Sequence, residues 1–124
     1  MIGSMSSRRV FVYGAAVDMR KGYDGLYALV RDGLGRDPLA GDLFVFVGRD
    51  RLRAKVLGWD GTGLWIYSKR LEKGRFVRLG DGKGGAIELS GSELSLLLEG
   101  CKLIGKVPLS PSPCAGKDFK LSKM

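Results

Sequence analysis

The 124-residue chain contains no histidine, which removes every mechanism that needs an imidazole base or ligand. Its nine aspartates and four glutamates are scattered, mostly where turns and helix caps are expected. Asp18, Asp24 and Asp60 would make a carboxylate-metal nuclease centre only if the fold drew them together; the plain reading of each is a cap, turn or surface residue. Gly14, Gly22 and Gly25 carry neither the Gly-Lys-Ser/Thr ending of a phosphate loop nor a dinucleotide fingerprint, so no cofactor is expected. Cys101 and Cys114 lack CxxC spacing and read as free thiols of a reducing compartment.

What the sequence does concentrate is positive charge. Residues 49–78 hold Arg49, Arg51, Arg53, Lys55, Lys69, Arg70, Lys73, Arg75 and Arg78 against Asp50, Asp60 and Glu72, and so carry +6 of the formal +8. Cations neutralise phosphates and release counterions, and the interleaved Trp65 and Tyr67 could stack on unpaired bases. The bland alternative is a solvated sheet face with Trp59 and Trp65 as a cross-strand core pair. A second candidate is Arg20 with Lys21, beside the expected start of a helix, where backbone amides and side chains together could hold a phosphate.

These side chains need strands to carry them. Arg49, Arg51, Arg53 and Lys55 alternate with Leu52, Ala54 and Val56, which predicts a strand with cations on one face and apolar groups on the other. Asp60-Gly61-Thr62-Gly63 then predicts a hairpin. A three-residue loop with Gly63 in a left-handed bulge sets Trp59 against Trp65, Leu57 against Tyr67 and Lys55 against Lys69, so cations and aromatics share a face. A shift of one residue would move Trp65 and Tyr67 to the apolar face.

The flanking segments supply the rest of the fold. Residues 9–12 read as a short strand, followed by a helix capped by Asp18, or starting later at Asp24, with Tyr23, Leu26, Tyr27, Val30 and Leu34 as its apolar stripe and Gly33 or Gly35 as its end. The near-continuous run 43–47 reads as a central strand covered on both faces, and 75–79 and 86–89 as further strands. Ser90-Gly91-Ser92-Glu93 is a capping box, with Leu89 and Leu94 as its hydrophobic staple and Gly100 as the stop. The expected fold class is α+β: a single domain at 10–104 with a mainly antiparallel, meandering sheet of five or six strands and two packed helices, between a flexible leader at 1–9 and a flexible basic tail at 105–124. Length and composition agree with one soluble domain, and no secretory leader or membrane span is seen, which predicts a cytoplasmic protein.

Six blocks in order resemble a known family: Asp18-Met19-Arg20-Lys21-Gly22-Tyr23-Asp24-Gly25-Leu26, Asp37-Pro38, Leu43-Phe44-Val45-Phe46, Trp59-Asp60-Gly61-Thr62-Gly63-Leu64, Lys69-Arg70-Leu71-Glu72-Lys73-Gly74-Arg75-Phe76 and Leu97-Leu98-Glu99-Gly100. Together they look like the TnpB accessory proteins of bacterial insertion sequences of the IS-sixty-six type, which are distinct from the RNA-guided nucleases that share the name. Gly58 and Val47 depart from the pattern. The resemblance implies a small protein encoded beside a separate transposase and needed for efficient movement of the element, and it supplies no catalytic residues.

The expected function is therefore a non-enzymatic accessory of transposition. Its partners would be DNA at the element ends and the element's transposase, with a homo-oligomer compatible and no membrane. The binding residues would be Arg20, Lys21, Arg49, Arg51, Arg53, Lys55, Trp65, Tyr67, Lys69, Arg70 and Arg75. The alternatives are a protein-protein module that docks on the transposase without binding DNA, and the carboxylate-metal nuclease.

Overall fold

Leu43–Val47 (β2) is buried at every position, because it lies inside a sheet covered on both faces. Successive side chains of a strand point to opposite faces, so Leu43, Val45 and Val47 enter one core while Phe44 and Phe46 enter the other. The computed structural model describes residues 8–100. Residues 1–7 of the leader expected at 1–9, residues 101–104 at the end of the expected domain, the tail at 105–124 and both cysteines lie outside the described residues.

Around β2 stand Val10–Tyr13 (β1), Arg53–Trp59 (β3), Leu64–Arg70 (β4) and Ala86–Leu89 (β5), in the order β4-β3-β2-β1-β5. This is the expected α+β domain, with a five-stranded, mostly antiparallel sheet and two helices. β2, β3 and β4 form an antiparallel meander, and β5 returns antiparallel to β1. β1 and β2 pair in parallel, since a helix carries the chain back between them.

That helix is Tyr23–Ala28 (α1), extended by a π-helical turn at Leu29–Gly33, and it seals one face of the sheet. Leu26 and Val30 from it pack with Phe11, Phe44, Phe46, Leu57, Val17 and Met19. The opposite face is covered by Gly91–Leu98 (α2), through Leu94, Leu97 and Leu98, and by Phe76, Val77 and Leu79. α2 opens with the capping box in full: the Ser90 hydroxyl accepts from the Glu93 amide, and the Glu93 carboxylate accepts from the Ser90 amide. Leu89 and Leu94 are buried in the same cluster, and Gly100 follows the helix at φ 85°, where a side chain would be strained.

Three local expectations are corrected. Residues 75–79 form no strand: Phe76 and Val77 are both fully buried in succession, so the segment is a filling between sheet and α2 and not a one-sided ladder partner. Asp18 is not a helix cap, for α1 starts after Gly22 and the Asp18 carboxylate is turned onto the amide and guanidinium of Arg20. Residues 49–52 are a turn and not the first half of a strand. The antiparallel β2–β3 pair requires a reversal there, closed by Arg51 N–H to the Gly48 carbonyl (3.0 Å) and Leu52 N–H to the Asp50 carboxylate (2.9 Å).

The fourth correction concerns the β3–β4 hairpin. Trp59 pairs with Leu64, Gly58 with Trp65, Leu57 with Ile66, Val56 with Tyr67 and Ala54 with Lys69, one residue away from the expected register. The loop is Asp60 to Gly63, its left-handed residue is Gly61 (φ 100°) and not Gly63, and the Asp60 carboxylate accepts from the amides of Thr62 and Gly63 and from the Thr62 hydroxyl. A one-residue shift exchanges the faces. Leu64 and Ile66 therefore face the α1 core with Leu57, while Trp65 packs on the α2 core. Space decides between the two registers: the α1 face is already filled by Phe44, Phe46 and Leu57, whereas Gly58 leaves a gap on the other face into which the Trp65 indole fits.

Candidate nucleic-acid interface

The cations converge at the end of the sheet where β3 begins and β4 ends. Beyond β1 the chain bridges in parallel from Val17 to Gly48, with Val17 N–H on the Val47 carbonyl at 3.0 Å, and this holds the loop with Asp18, Met19 and Arg20 beside the 48–52 turn. Met19 is buried and lies against Gly48, where a Cβ would collide with its Cγ. On either side of Met19 lies an open groove. One, of about 610 Å³, is lined by Ala16, Val17, Asp18, Met19, Arg20, Arg49, Asp50 and Arg53. The other, of about 440 Å³, is lined by Met19, Arg53, Ala54, Lys55, Ser68, Lys69 and Arg70.

Met19 and Arg53 belong to both, so the two form one surface with Arg20, Arg49, Arg53, Lys55 and Arg70 on it and only Asp18 and Asp50 as carboxylates; Lys69 borders it along β4, but as the partner of buried Ala54 it points to the α2 face. Arg53 and Arg70 are direct cross-strand partners. Like charges directly opposite destabilise a sheet; here each guanidinium leans on a carboxylate, Arg53 on Asp50 at 3.5 Å and Arg70 on Glu72 at 3.3 Å. Both pairs are solvent-exposed, so they contribute little to stability and leave guanidinium donors facing outward. Lys55 donates to the Lys21 carbonyl at 2.9 Å, which ties β3 to the start of α1.

The carboxylates are tuned by these contacts. The Arg20 guanidinium, and then its amide, hold Asp18 far below the usual carboxylate range, while Arg20 is raised in return. Asp50 is lowered by the Leu52 amide first and by Arg53 after it. Both stay ionised wherever the protein is folded near neutrality.

Five of the eleven expected binding residues thus meet: Arg20, Arg49, Arg53, Lys55 and Arg70. Lys21 contributes its carbonyl to Lys55 and is absent from the groove lining. Arg51 stands in the turn at φ 60°, and Arg75 lies on the segment after β4. Trp65, Tyr67 and Lys69 share the α2 face of β4, away from Arg53 and Lys55; Trp65 is half-buried with its indole N–H enclosed and unpartnered, and Tyr67 is 37% exposed. The single cationic-aromatic face built from Lys55, Trp59, Trp65, Tyr67 and Lys69 does not form.

One positioning residue escaped the sequence reading. Arg78 donates to the carbonyls of Gly48 (3.2 Å) and Arg49 (3.1 Å), clamping the turn that presents Arg49. Burial, and then the proximity of Arg51 and Arg49, lower its pKa. Its one signal in the sequence is an arginine between the apolar Phe76-Val77 and Leu79.

Among the described residues no group of three His, Cys, Asp or Glu side chains is placed to hold a metal ion, so the carboxylate cluster that the nuclease alternative requires is not assembled there. Asp60 is occupied in its own turn and Asp18 by Arg20. No helix among the described residues is long and apolar enough to cross a membrane.

Fold and surface define a small, basic α+β domain whose cations gather at one end of its sheet. The chain belongs to the family described as IS66 Orf2 like protein, which matches residues 8–106, and it is accordingly a transposition-associated accessory protein. It is 41% identical over 100 residues to the uncharacterized protein y4jC of Sinorhizobium fredii (strain NBRC 101917 / NGR234), covering 81% of this chain and 85% of that one. It is 42% identical over 100 residues to the uncharacterized protein y4hO of the same organism, covering 81% and 86%. No solved structure matches the chain.

Proposed function

We propose that this protein assists insertion-sequence transposition without catalysing a step itself, by binding DNA, alone or in complex with the transposase, through the paired grooves around Met19. The observation that carries the reading is the convergence of Arg20, Arg49, Arg53, Lys55 and Arg70 from three separate stretches of chain onto one surface. Arg53 and Arg70 are direct cross-strand partners, a like-charge pairing that a bound anion would relieve; a phosphate is such an anion, and arginine grips it with a planar fork of donors.

The test is a fluorescence-anisotropy titration of element-end duplex at increasing salt. Wild type binds with an affinity that falls steeply with salt, and Arg49→Ala, Arg53→Ala and Arg70→Ala each reduce the salt slope by about 1. Absence of binding at low salt, or variants indistinguishable from wild type, would overturn the reading.

The second reading is docking on the transposase without DNA contact. It is favoured by the carboxylates already seated on Arg20, Arg53 and Arg70, which show that acidic side chains fit these cations. In that case the same variants abolish co-purification with the transposase, while the titration stays flat.

A further inference from the structure

We propose that two copies of this chain join edge to edge through β4, antiparallel, so that their sheets run on as one. Main-chain hydrogen bonds hold the seam.

The ladder of the β3–β4 hairpin fixes which main-chain groups face outward. In an antiparallel pair, every second pair of facing residues exchanges both its hydrogen bonds, and the residues between turn theirs to the other side. Asp60 N–H meets the Gly63 carbonyl at 3.1 Å, and Leu71 N–H meets the Leu52 carbonyl at 2.8 Å. Between these ends the bonded pairs are Gly58 with Trp65, Val56 with Tyr67 and Ala54 with Lys69. Leu64, Ile66, Ser68 and Arg70 therefore point their amides and carbonyls off the sheet, where β4 is the last strand in the order.

An open edge of this kind is a template for another strand, and proteins defend it by keeping it short or charged. The other edge, β5, has both defences: it is four residues long and bears Glu88, paired with Arg9 at 3.4 Å. β4 runs for seven residues without a proline, and its charges stand only at the end, on Lys69 and Arg70. Leu64, Trp65, Ile66 and Tyr67 before them are uncharged, and Tyr67 is exposed.

That asymmetry selects the occupant and its direction. A parallel, in-register copy would set Lys69 and Arg70 against themselves, and like charges directly opposite destabilise a sheet. An antiparallel copy related by a two-fold axis at Tyr67 sets Leu64 against the partner's Arg70, Trp65 against the partner's Lys69 and Ile66 against the partner's Ser68. Every outward main-chain group is then bonded. Each ammonium also stands across from an indole, which attracts a cation, and no two charges meet. An acidic strand from another protein would find cations at Lys69 and Arg70 only, and nothing to match along Leu64 to Tyr67.

The experiment is sedimentation equilibrium of the full chain over a range of concentrations, without DNA. The mass is expected to rise to twice that of the chain. Ser68→Pro removes an outward amide and no bond of the β3 ladder, and is expected to stay at the single-chain mass with an unchanged far-ultraviolet circular dichroism spectrum. Amide exchange of the wild type, followed by NMR, reads the seam directly even where that variant does not fold. The Ile66 and Ser68 amides are protected only at concentrations that give the dimer, whereas those of Trp65 and Tyr67 are protected throughout. A single-chain mass at every concentration overturns the proposal, and protection of Ile66 and Ser68 at that mass would mean that the chain's own residues 101–124 cover the edge. A dimer whose Ile66 and Ser68 amides exchange freely, or one that a folded Ser68→Pro variant leaves intact, joins elsewhere and overturns it equally. With no DNA present, none of these outcomes bears on the anisotropy titration above.

Discussion

Gly58 on β3 and Trp65 on β4 face each other, and the indole lies so close over the glycine that a Cβ at position 58 would overlap its ring carbons Cζ2 and Cε2. The relationship locks the hairpin register, because any other residue at 58 would push the ring out of the α2 core. Gly58→Ala is expected to cost about 1–3 kcal/mol through overpacking, read as a lower melting temperature by roughly 4–8 °C per kcal/mol for a domain of this size. An unchanged melting temperature would mean that the indole does not sit on Gly58.

Trp65 and Tyr67 are on the face away from Arg53 and Lys55. Trp65→Phe keeps most of the buried ring and removes the enclosed, unpartnered indole N–H, whose desolvation costs about 1–3 kcal/mol, so the fold tolerates it. Trp65→Phe and Tyr67→Ala are expected to change DNA affinity by less than about twofold. A stacked base would show as roughly fivefold or more on losing its ring. Anisotropy titrations with both variants decide it.

Arg51 occupies the left-handed region at φ 60°, the one non-glycine described residue that does. There a Cβ costs roughly 1–2 kcal/mol. Arg51→Gly should therefore be more stable than Arg51→Ala by about 1 kcal/mol. Both variants lack the guanidinium, so comparing their denaturant midpoints isolates the backbone contribution.

Ser90 supplies one half of the capping box of α2. Ser90→Ala leaves the Glu93 amide without its acceptor and is expected to lower stability by about 1 kcal/mol. Ser90→Asp, which keeps an acceptor at the cap, should retain most of it. Urea unfolding of the pair checks the assignment.

Acid sensitivity follows from the carboxylates. Asp60 is lowered by the amides of Thr62 and Gly63 and then by the Thr62 hydroxyl, and Asp18 chiefly by Arg20. A carboxyl whose folded pKa is depressed binds its proton more readily in the unfolded chain. Its contribution is complete above the ordinary value near 4 and is lost as the pH falls through the folded one. Stability is expected to hold from neutrality to about pH 5 and to decline below it, and Asp60→Asn should make that decline shallower. Melting temperatures across the acid range measure it.

The sequence by itself determined the elements whose cause is local. The near-continuous hydrophobic run of β2, the capping box of Ser90 and Glu93, the stop at Gly100 and a hairpin turn opened by Asp60 are each dictated within a few residues, and all are present. It also determined that positive charge gathers between Arg49 and Arg70. The tertiary structure alone decided which of those cations meet. Arg20 joins Arg49 and Arg53 because a parallel bridge from Val17 to Gly48 brings distant stretches together, and nothing in local spacing encodes that contact. It likewise decided the hairpin face. Side chains alternate with a period of two, so both registers satisfy the pattern of β3 and β4 equally; only the filled α1 core on one side and the vacancy over Gly58 on the other distinguish them.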